Sequence, residues 1–185
     1  MPSRDPNHPN VLFVLTDDQG YWAMGCAGNR EIRTPNLDRL ALPGTRFENF
    51  FCTCPVCSPA RASVLTGRIP SQHGVHDFLH WGRAFGGRGR ADETAFLAGQ
   101  PTYTEVLAAA GYDCCLSGKW HLGYALEPQA GFAHWAPMPS GGCNYFHPPI
   151  VEDGRLVTHD GEYASDLFTD NALAFLDAQG DSSKP

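Results

Sequence analysis

The strongest constraint on the fold is a cysteine- and proline-rich stretch at residues 52–68, which leads into a short predicted helix. Pro59 has no backbone N–H, so it suits the first turn of a helix, where that donor would have no intrahelical partner. The residues after it are adequate helix formers, and Gly67 is a typical stop. Cys57 therefore precedes a helix N-terminus, which favours negative charge, and Arg61 lies about one turn further along. This pattern predicts a site for an anionic group.

Local chemistry leaves three interpretations of this stretch open. The first is a turn that holds small buried cysteines, because a free cysteine packs like a small hydrophobic residue. The second is a zinc site, since histidines follow the closely spaced cysteines and both residue types bind zinc. The residues of that site would be Cys52, Cys54, Cys57, His73, His76 and His80. The third is a cysteine that is processed into a catalytic group.

Length and charge narrow the class of protein. The chain has 185 residues, of which 42% are hydrophobic and 18% are charged, as is typical of a globular domain with a core. The formal net charge of −7 argues against a general nucleic-acid binder or a binder of anionic membranes. We therefore expect neither nucleic acid nor membrane among its partners.

The cysteine usage and the N-terminal sequence indicate the compartment. Seven cysteines are an odd number, and the adjacent Cys114 and Cys115 point to opposite faces of a predicted strand, so we expect mostly reduced, buried thiols. Residues 1–10 lack the apolar core of a signal peptide. The expected location is the cytoplasm, or the periplasm or exterior if a leader was removed.

The apolar run at residues 11–15 predicts a strand that is buried on both faces, as in a parallel sheet. Asp17 and Asp18 follow it directly. Adjacent carboxylates at the end of a buried strand need neutralisation, so they either lie on an exposed turn or bind a hard divalent cation, which prefers oxygen ligands. Open α/β sheets carry their sites at this edge, which favours the second interpretation.

A second unit of the same kind follows in the middle of the chain. Thr102 and Glu105 have the spacing of a capping box, which predicts a helix that ends before Gly111. A buried strand is predicted at residues 113–117, and a helix followed by a strand is an α/β module. The strand leads into Gly-Lys-Trp-His-Leu-Gly, residues 118–123, whose side chains lie at the same sheet edge as the aspartates if the strands are parallel.

The other segments carry clearer structural than functional signals. Helices are predicted at residues 34–41 and 163–178, and a hairpin with an Asp-Gly turn at residues 151–157. The proline- and glycine-rich residues 137–149 are predicted to form an ordered loop. This loop and residues 76–90 are candidates for substrate contacts.

Three of these motifs together resemble one protein family. Cys57-Ser58-Pro59-Ala60-Arg61, with Leu65-Thr66-Gly67-Arg68 behind it, is similar to the Cys-x-Pro-x-Arg signature of the type I sulfatases, in the alkaline phosphatase superfamily. The Asp-Asp pair after the first strand and the Gly-Lys-Trp-His-Leu-Gly segment resemble two further motifs of that family. The resemblance implies an α/β fold with a mixed, largely parallel sheet flanked by helices. It also implies that residues 1–185 are the N-terminal part of a single sulfatase catalytic domain, with an incomplete sheet.

The resemblance implies a role for each matched side chain. Cys57 is expected to be oxidised to Cα-formylglycine by a formylglycine-generating enzyme, and the hydrate of that aldehyde is the nucleophile. Asp17, Asp18 and the modified Cys57 are the implied ligands of Ca²⁺, with Mg²⁺ as an alternative. Arg61 stabilises the hydrate, and Lys119 binds it and the sulfate. His121 binds substrate and acts in acid–base chemistry: it helps remove the proton from the second hydroxyl of the hydrate, which expels sulfate. The implied reaction is hydrolysis of a sulfate monoester of a small molecule or glycan.

The family pattern extends beyond this sequence. Two further metal ligands, another lysine and another histidine are expected outside the chain, and the incomplete sheet is expected to expose apolar edges. Three other functions stay open at this point. One is hydrolysis of phosphonates or phosphodiesters by a member of the same superfamily, and another is a non-catalytic zinc-binding module. The third is a non-catalytic, sulfatase-like remnant that folds only with a partner.

Overall fold

The computed structural model describes residues 8–80, 93–180, 182 and 184–185. The candidate substrate loop at residues 76–90 lies outside the described residues from position 81 onward. The described chain divides into two compact units. The smaller unit is Leu12–Cys52, and the larger unit contains residues 8–11 and the described part of Thr53–Pro185.

The smaller unit contains a single turn of 3-10 helix, Gly25–Ala27, and helix α1, Pro35–Ala41, as predicted. The side chain of Asp38 joins the two helices: its Oδ1 accepts a hydrogen bond from the Cys26 N–H at 2.7 Å and another from the Thr34 hydroxyl at 3.0 Å. The Thr34 hydroxyl in turn accepts from the Gly25 N–H at 2.8 Å. The unit is therefore held by polar contacts around one carboxylate.

Residues 11–15 do not form the predicted strand. Their backbone is irregular, and their side chains are exposed, from 45% at Leu15 to 77% at Leu12. A strand is stable only when its backbone pairs and one face is covered. Among the described residues no strand pairs with this run. The prediction of a buried strand from its apolar composition was therefore wrong.

The larger unit contains four helices and four strands among its described residues. The helices are α2, Cys57–Thr66; α3, Pro70–His73; α4, Tyr103–Ala109; and α5, Ala164–Ala178. The strands are β1, Cys115–Lys119; β2, His134–Met138; β3, Pro149–Glu152; and β4, Arg155–Thr158. Strands β1 and β2 pair in parallel, from Cys115 opposite His134 to Lys119 opposite Met138. The α/β class with a parallel pair is therefore confirmed.

Several local predictions for this unit are confirmed. The side chains of Thr102 and Glu105 form the capping box of α4, and α5 covers the predicted helix. Strands β3 and β4 form an antiparallel hairpin. At its turn, Asp153 has φ 47° and Gly154 has φ 76°, the two positive values that a type I′ turn requires.

The second predicted strand is displaced, and one strand was missed. Strand β1 begins and ends two residues after the predicted 113–117. Strand β2 includes Pro137 and Met138, so the prediction of a loop from residue 137 was wrong at its start. Proline lacks an N–H and is tolerated only in edge strands, and β2 pairs with β1 alone among the described strands.

The core of the larger unit lies around the segment that follows β1. Trp120 packs edge-on against Trp135, with 5.0 Å between ring centroids, and the indole N–H of Trp135 donates to the Ala125 carbonyl at 2.7 Å. The buried members of the cluster are Ala62, Leu65, Val75, Leu79, Leu97, Trp120, Leu122, Ala125 and Val151. Helix α2 and the segment after β1 therefore share one core. Among the described residues no helix is long and apolar enough to cross a membrane.

Candidate active site

Cys57 is the first residue of helix α2, whereas the sequence predicted that the helix would begin just after it. Val56 precedes it in extended conformation, with φ −126°. Gly67 ends the helix at φ 66°, a left-handed conformation that glycine adopts without steric cost. The half-buried Cys57 side chain therefore lies at the positive end of a ten-residue helix.

Arg61 ties α2 to the end of β1. Its Nη1 donates a hydrogen bond of 2.7 Å to the carbonyl oxygen of Lys119, which lies 58 positions further along the chain. Hydrogen bonds from a charged donor are stronger than neutral ones. The arginine of the cysteine motif thus contacts the backbone of the lysine that the sequence predicts as a sulfate ligand.

His121 is enclosed in the larger unit, with 1% of its surface exposed. Its Nε2 lies 2.8 Å from the carbonyl oxygen of Leu79, and its ring meets the Phe78 ring edge-on at 4.4 Å between centroids. His121 has φ 52°, a left-handed value that is uncommon outside glycine. A side chain at Gly141 would overlap this ring, since a Cβ there would lie 2.6 Å from Cε1 of His121.

Ser58 completes the connection between the helix and the histidine. Its hydroxyl oxygen, fully buried, accepts a hydrogen bond of 3.2 Å from the backbone N–H of Leu79. Hydrogen bonds therefore join the first two turns of α2 to residues 119 and 121. Arg61 makes one bond to Lys119 directly, and Ser58 is connected to His121 by two bonds through the backbone of Leu79.

His73 has both ring nitrogens in hydrogen bonds. Its Nδ1 accepts from the Val75 N–H at 3.1 Å, so the proton of the neutral ring lies on Nε2, which donates to the Ser63 hydroxyl at 3.0 Å. Burial lowers the pKa of His73, and the nearby His76 lowers it further. A neutral imidazole with both ring nitrogens in hydrogen bonds to its own region of the chain is a structural group.

The zinc interpretation of the cysteine stretch finds no support in the described residues. Cys52, His76 and His80 are exposed, and His73 uses both nitrogens in the contacts above. Within residues 8–80 and 93–180, no three or more His, Cys, Asp or Glu side chains are grouped to hold a metal ion.

Asp17 and Asp18 lie in the smaller unit, on an exposed bend, and Asp18 has φ 53°. Carboxylate oxygens are the donors that calcium and magnesium prefer, so the chemistry of the pair fits a hard cation. Calcium takes six to eight oxygen ligands, more than two side chains supply. The pair is thus a partial donor set.

The adjacent cysteines after α4 are inert by comparison with a catalytic thiol. Burial raises the pKa of the Cys115 thiol to about 11, with smaller contributions from the charges of Asp113 and Cys114. Burial and Asp113 also raise the pKa of Cys114. Both are free thiols, and they stay protonated at neutral pH, where only a thiolate is nucleophilic.

Sequence reasoning missed three residues that shape this region: Ser58, Leu79 and Gly141. Ser58 occupies a variable position of the Cys-x-Pro-x-Arg motif, and its partner lies 21 positions away. Leu79 acts through its backbone, which carries no sequence signal. The Gly-Gly pair at residues 141–142 was a usable signal, because glycine marks places where other groups approach closely.

The α/β architecture and the placement of the motif residues define a fold of the alkaline-phosphatase-like sulfatase class. The sulfatase family model matches residues 9–185, and the chain belongs to the sulfatase family. It is 36% identical over 184 residues to an N-acetylglucosamine-6-O-sulfatase of Bacteroides thetaiotaomicron, covering 98% of this chain and 29% of that protein. It is 38% identical over 171 residues to the human N-acetylgalactosamine-6-sulfatase, covering 82% of this chain and 31% of that protein.

A solved structure gives the same result in three dimensions. That protein, in complex with its substrate D-glucosamine-2-N,6-O-disulfate, is similar to this chain with a TM-score of 0.78 and 37% identity. The match covers 96% of this chain and 33% of the other. The chain therefore spans about a third of the length of the relatives it matches.

Proposed function

We propose that the chain provides the nucleophile and sulfate-binding part of a hydrolase that cleaves sulfate monoesters, with a sulfated sugar as the substrate class. The observation that carries this proposal is the pair of hydrogen-bond chains that join the first turns of α2, where Cys57 lies, to Lys119 and His121. The names of two relatives support the substrate class, since both are sulfatases of 6-sulfated amino sugars.

The proposed reaction needs positively charged groups beside the negatively charged sulfuryl oxygens. It also needs a side chain that can hold or transfer a proton. The S–O bond to the alcohol breaks, the alcohol leaves with a proton, and water supplies the oxygen that sulfate gains. Arg61, on helix α2, and Lys119, whose backbone carbonyl Arg61 binds, are the proposed cations. Preorganised charge of this kind stabilises the anionic transition state. His121 is the group that holds or moves a proton, at the ring nitrogen that does not bond Leu79.

Two groups that the family uses complete this proposal. Formylglycine formed from Cys57 by a formylglycine-generating enzyme would supply a nucleophilic hydroxyl in its hydrated form. Asp17 and Asp18 would hold Ca²⁺ or Mg²⁺, which supplies positive charge for the sulfate group. The helix N-terminus at Cys57 favours negative charge at that position independently of the cation.

Mass spectrometry of the chain tests the first requirement. The chain is co-expressed with a formylglycine-generating enzyme and digested with trypsin, which places Cys52, Cys54 and Cys57 in one peptide. We expect aldehyde in place of thiol at Cys57 alone, so the other two cysteines are internal controls. An Arg61→Ala variant, which breaks the motif, is expected to keep its thiol. A thiol at Cys57 in the unaltered chain under these conditions contradicts the proposal.

A substrate comparison tests the reaction itself. Because further metal ligands, a lysine and a histidine are expected outside this chain, the assay uses a protein of full family length that contains it with Cys57 modified. The two substrates are a 6-O-sulfated glucosamine and an aryl phosphonate ester. We expect a higher kcat/KM for the sulfate ester, and loss of that activity in the Cys57→Ala variant. A preference for the phosphonate would instead indicate a phosphonate hydrolase of the same superfamily.

A further inference from the structure

We propose that Ser58 is a positioning residue that sets the orientation and the tautomer of His121 through the backbone of Leu79. The proposal rests on the proposed function only where it gives His121 a role in proton transfer. The tautomer itself is a property of the folded chain, and it can be measured without turnover.

The hydrogen bonds define the direction of the chain of contacts. The Leu79 N–H donates to the Ser58 hydroxyl at 3.2 Å, and the Leu79 carbonyl lies 2.8 Å from Nε2 of His121. A carbonyl oxygen accepts and cannot donate, so Nε2 must carry a proton. The lone pair of the neutral imidazole is then on Nδ1. The hydroxyl of Ser58 thus holds the backbone of Leu79, whose carbonyl determines which nitrogen of His121 is protonated.

Packing leaves the ring little room to leave this arrangement. The side chains of Ser58, Leu79 and His121 are all buried, and Phe78 contacts the His121 ring edge-on. A Cβ at Gly141 would lie within 3 Å of both the Phe78 and the His121 rings, so the backbone there approaches as closely as a glycine permits. The ring therefore has one orientation in which Nε2 meets the Leu79 carbonyl.

Ser58 and Arg61 act on the same segment from one helix. Arg61 holds the Lys119 carbonyl, and Ser58 acts on His121 two positions later. Loss of the Ser58 hydroxyl would leave the buried Leu79 N–H without its acceptor, which is costly enough for the backbone at Leu79 to shift toward another partner. Such a shift moves the carbonyl on which the tautomer of His121 depends.

The test is ¹⁵N NMR of ring-labelled histidine in the 185-residue chain, at a pH where imidazole is neutral. The signals of His121 are assigned from their loss in a His121→Gln variant. In the unaltered chain we expect one pure tautomer, with Nε2 protonated and a wide separation between the two ring ¹⁵N shifts. In Ser58→Ala we expect the two shifts to collapse toward their mean, as in a mixture of tautomers.

Two further variants make the result specific. Ser63→Ala is the matched control, because Ser63 lies on the same helix but bonds His73, so His121 should be unchanged. Ser58→Cys keeps the side-chain shape with a larger and weaker acceptor, and we expect a smaller collapse. It also replaces Ser58→Ala if that variant does not fold. An unchanged His121 tautomer in a folded Ser58 variant overturns the proposal, as does a protonated Nδ1 in the unaltered chain.

The two proposals fail in different ways. A full-length protein with the expected tautomer and no sulfatase activity would contradict the proposed function and leave the positioning role of Ser58 intact. An active chain whose His121 tautomer does not respond to Ser58 would contradict the positioning role alone.

Discussion

At the residue scale, Gly141 shows how tightly the surroundings of His121 are packed. A Cβ there would lie 2.5 Å from Cζ of Phe78 and 2.6 Å from Cε1 of His121, distances that real Cβ atoms essentially never show. We expect Gly141→Ala to lower the free energy of unfolding by about 1–3 kcal/mol, because overpacking forces the rings or the backbone to move. Urea unfolding measures this change.

The neighbouring glycine is a matched control for that substitution. A Cβ at Gly142 has no atom within 4 Å, so Gly142→Ala should leave the free energy of unfolding within about 0.5 kcal/mol of the unaltered chain. Equal effects at the two positions would show that the contact with His121 is not what restricts position 141.

His159 is expected to make the larger unit sensitive to pH. Its Nδ1 lies 3.0 Å from Glu162, and its Nε2 lies 2.8 Å from Glu152, so a protonated ring joins two carboxylates. Burial lowers the pKa of His159, but the hydrogen bonds and charges of Glu162 and Glu152 outweigh it, and the net pKa is raised. Because folding raises the pKa of His159, its protonated ring stabilises the fold. This stabilisation is fully present below the pKa of the unfolded state, about 6.5, and is lost as the pH rises through the pKa of the folded state.

An NMR titration of the ring-labelled chain measures this pKa directly. We expect the His159 midpoint above about 6.5, and a return toward that value in a variant with both Glu152→Gln and Glu162→Gln. A His159 midpoint at or below about 6.5 in the unaltered chain would contradict the prediction, as would an unchanged midpoint in the double variant.

At the element scale, the capping box of α4 is the clearest device that the sequence encodes. The Glu105 N–H donates to the Thr102 hydroxyl at 3.2 Å, and the Thr102 N–H donates to the Glu105 carboxylate at 2.9 Å. We expect Thr102→Ala to cost about 0.5–2 kcal/mol of stability, since it removes the acceptor at the start of the helix. Thr102→Ser keeps the hydroxyl and should recover most of the loss in thermal or urea unfolding; failure of this rescue would mean that packing of the threonine methyl group matters more.

The elements that the sequence predicted are those whose signals are local. Helix α4, the β3–β4 hairpin and helix α5 follow from capping, turn and periodicity patterns within a few residues. The run at residues 11–15 failed because a strand depends on a partner that pattern alone does not supply. Strand β2 was missed because Pro137 lowers strand propensity, although an edge position tolerates it.

The site followed the same rule. Cys57, Arg61, Lys119 and His121 were predicted as site residues because their motifs are specific in sequence. The contacts that join them were not, because they run through backbone groups such as the Leu79 carbonyl and the Lys119 carbonyl, which every residue has. Position within the fold, not residue type, gives those groups their role.

At the scale of the whole molecule, apolar surface is the main difference from a self-contained domain. Residues 11–15 are exposed, and in the same part of the sequence Phe47, Phe50 and Phe51 are exposed as well. Soluble monomers rarely expose contiguous apolar patches of more than a few hundred Å². Because the chain spans about a third of its relatives' length, a family member of full length has further chain that is absent here.

This surface predicts that the 185-residue chain associates with itself as its concentration rises. Phe50 and Phe51 are 84% and 81% exposed, and burial of one phenylalanine contributes about 1.5–3 kcal/mol. The Phe50→Ser, Phe51→Ser double variant should therefore weaken association by at least about tenfold, as sedimentation velocity over a concentration series would measure. Ile69→Ser is the control, because Ile69 is half-exposed away from this stretch of sequence and should have little effect. A chain that stays monomeric across the series, or a double variant that associates as strongly as the unaltered chain, would show that these phenylalanines do not drive association.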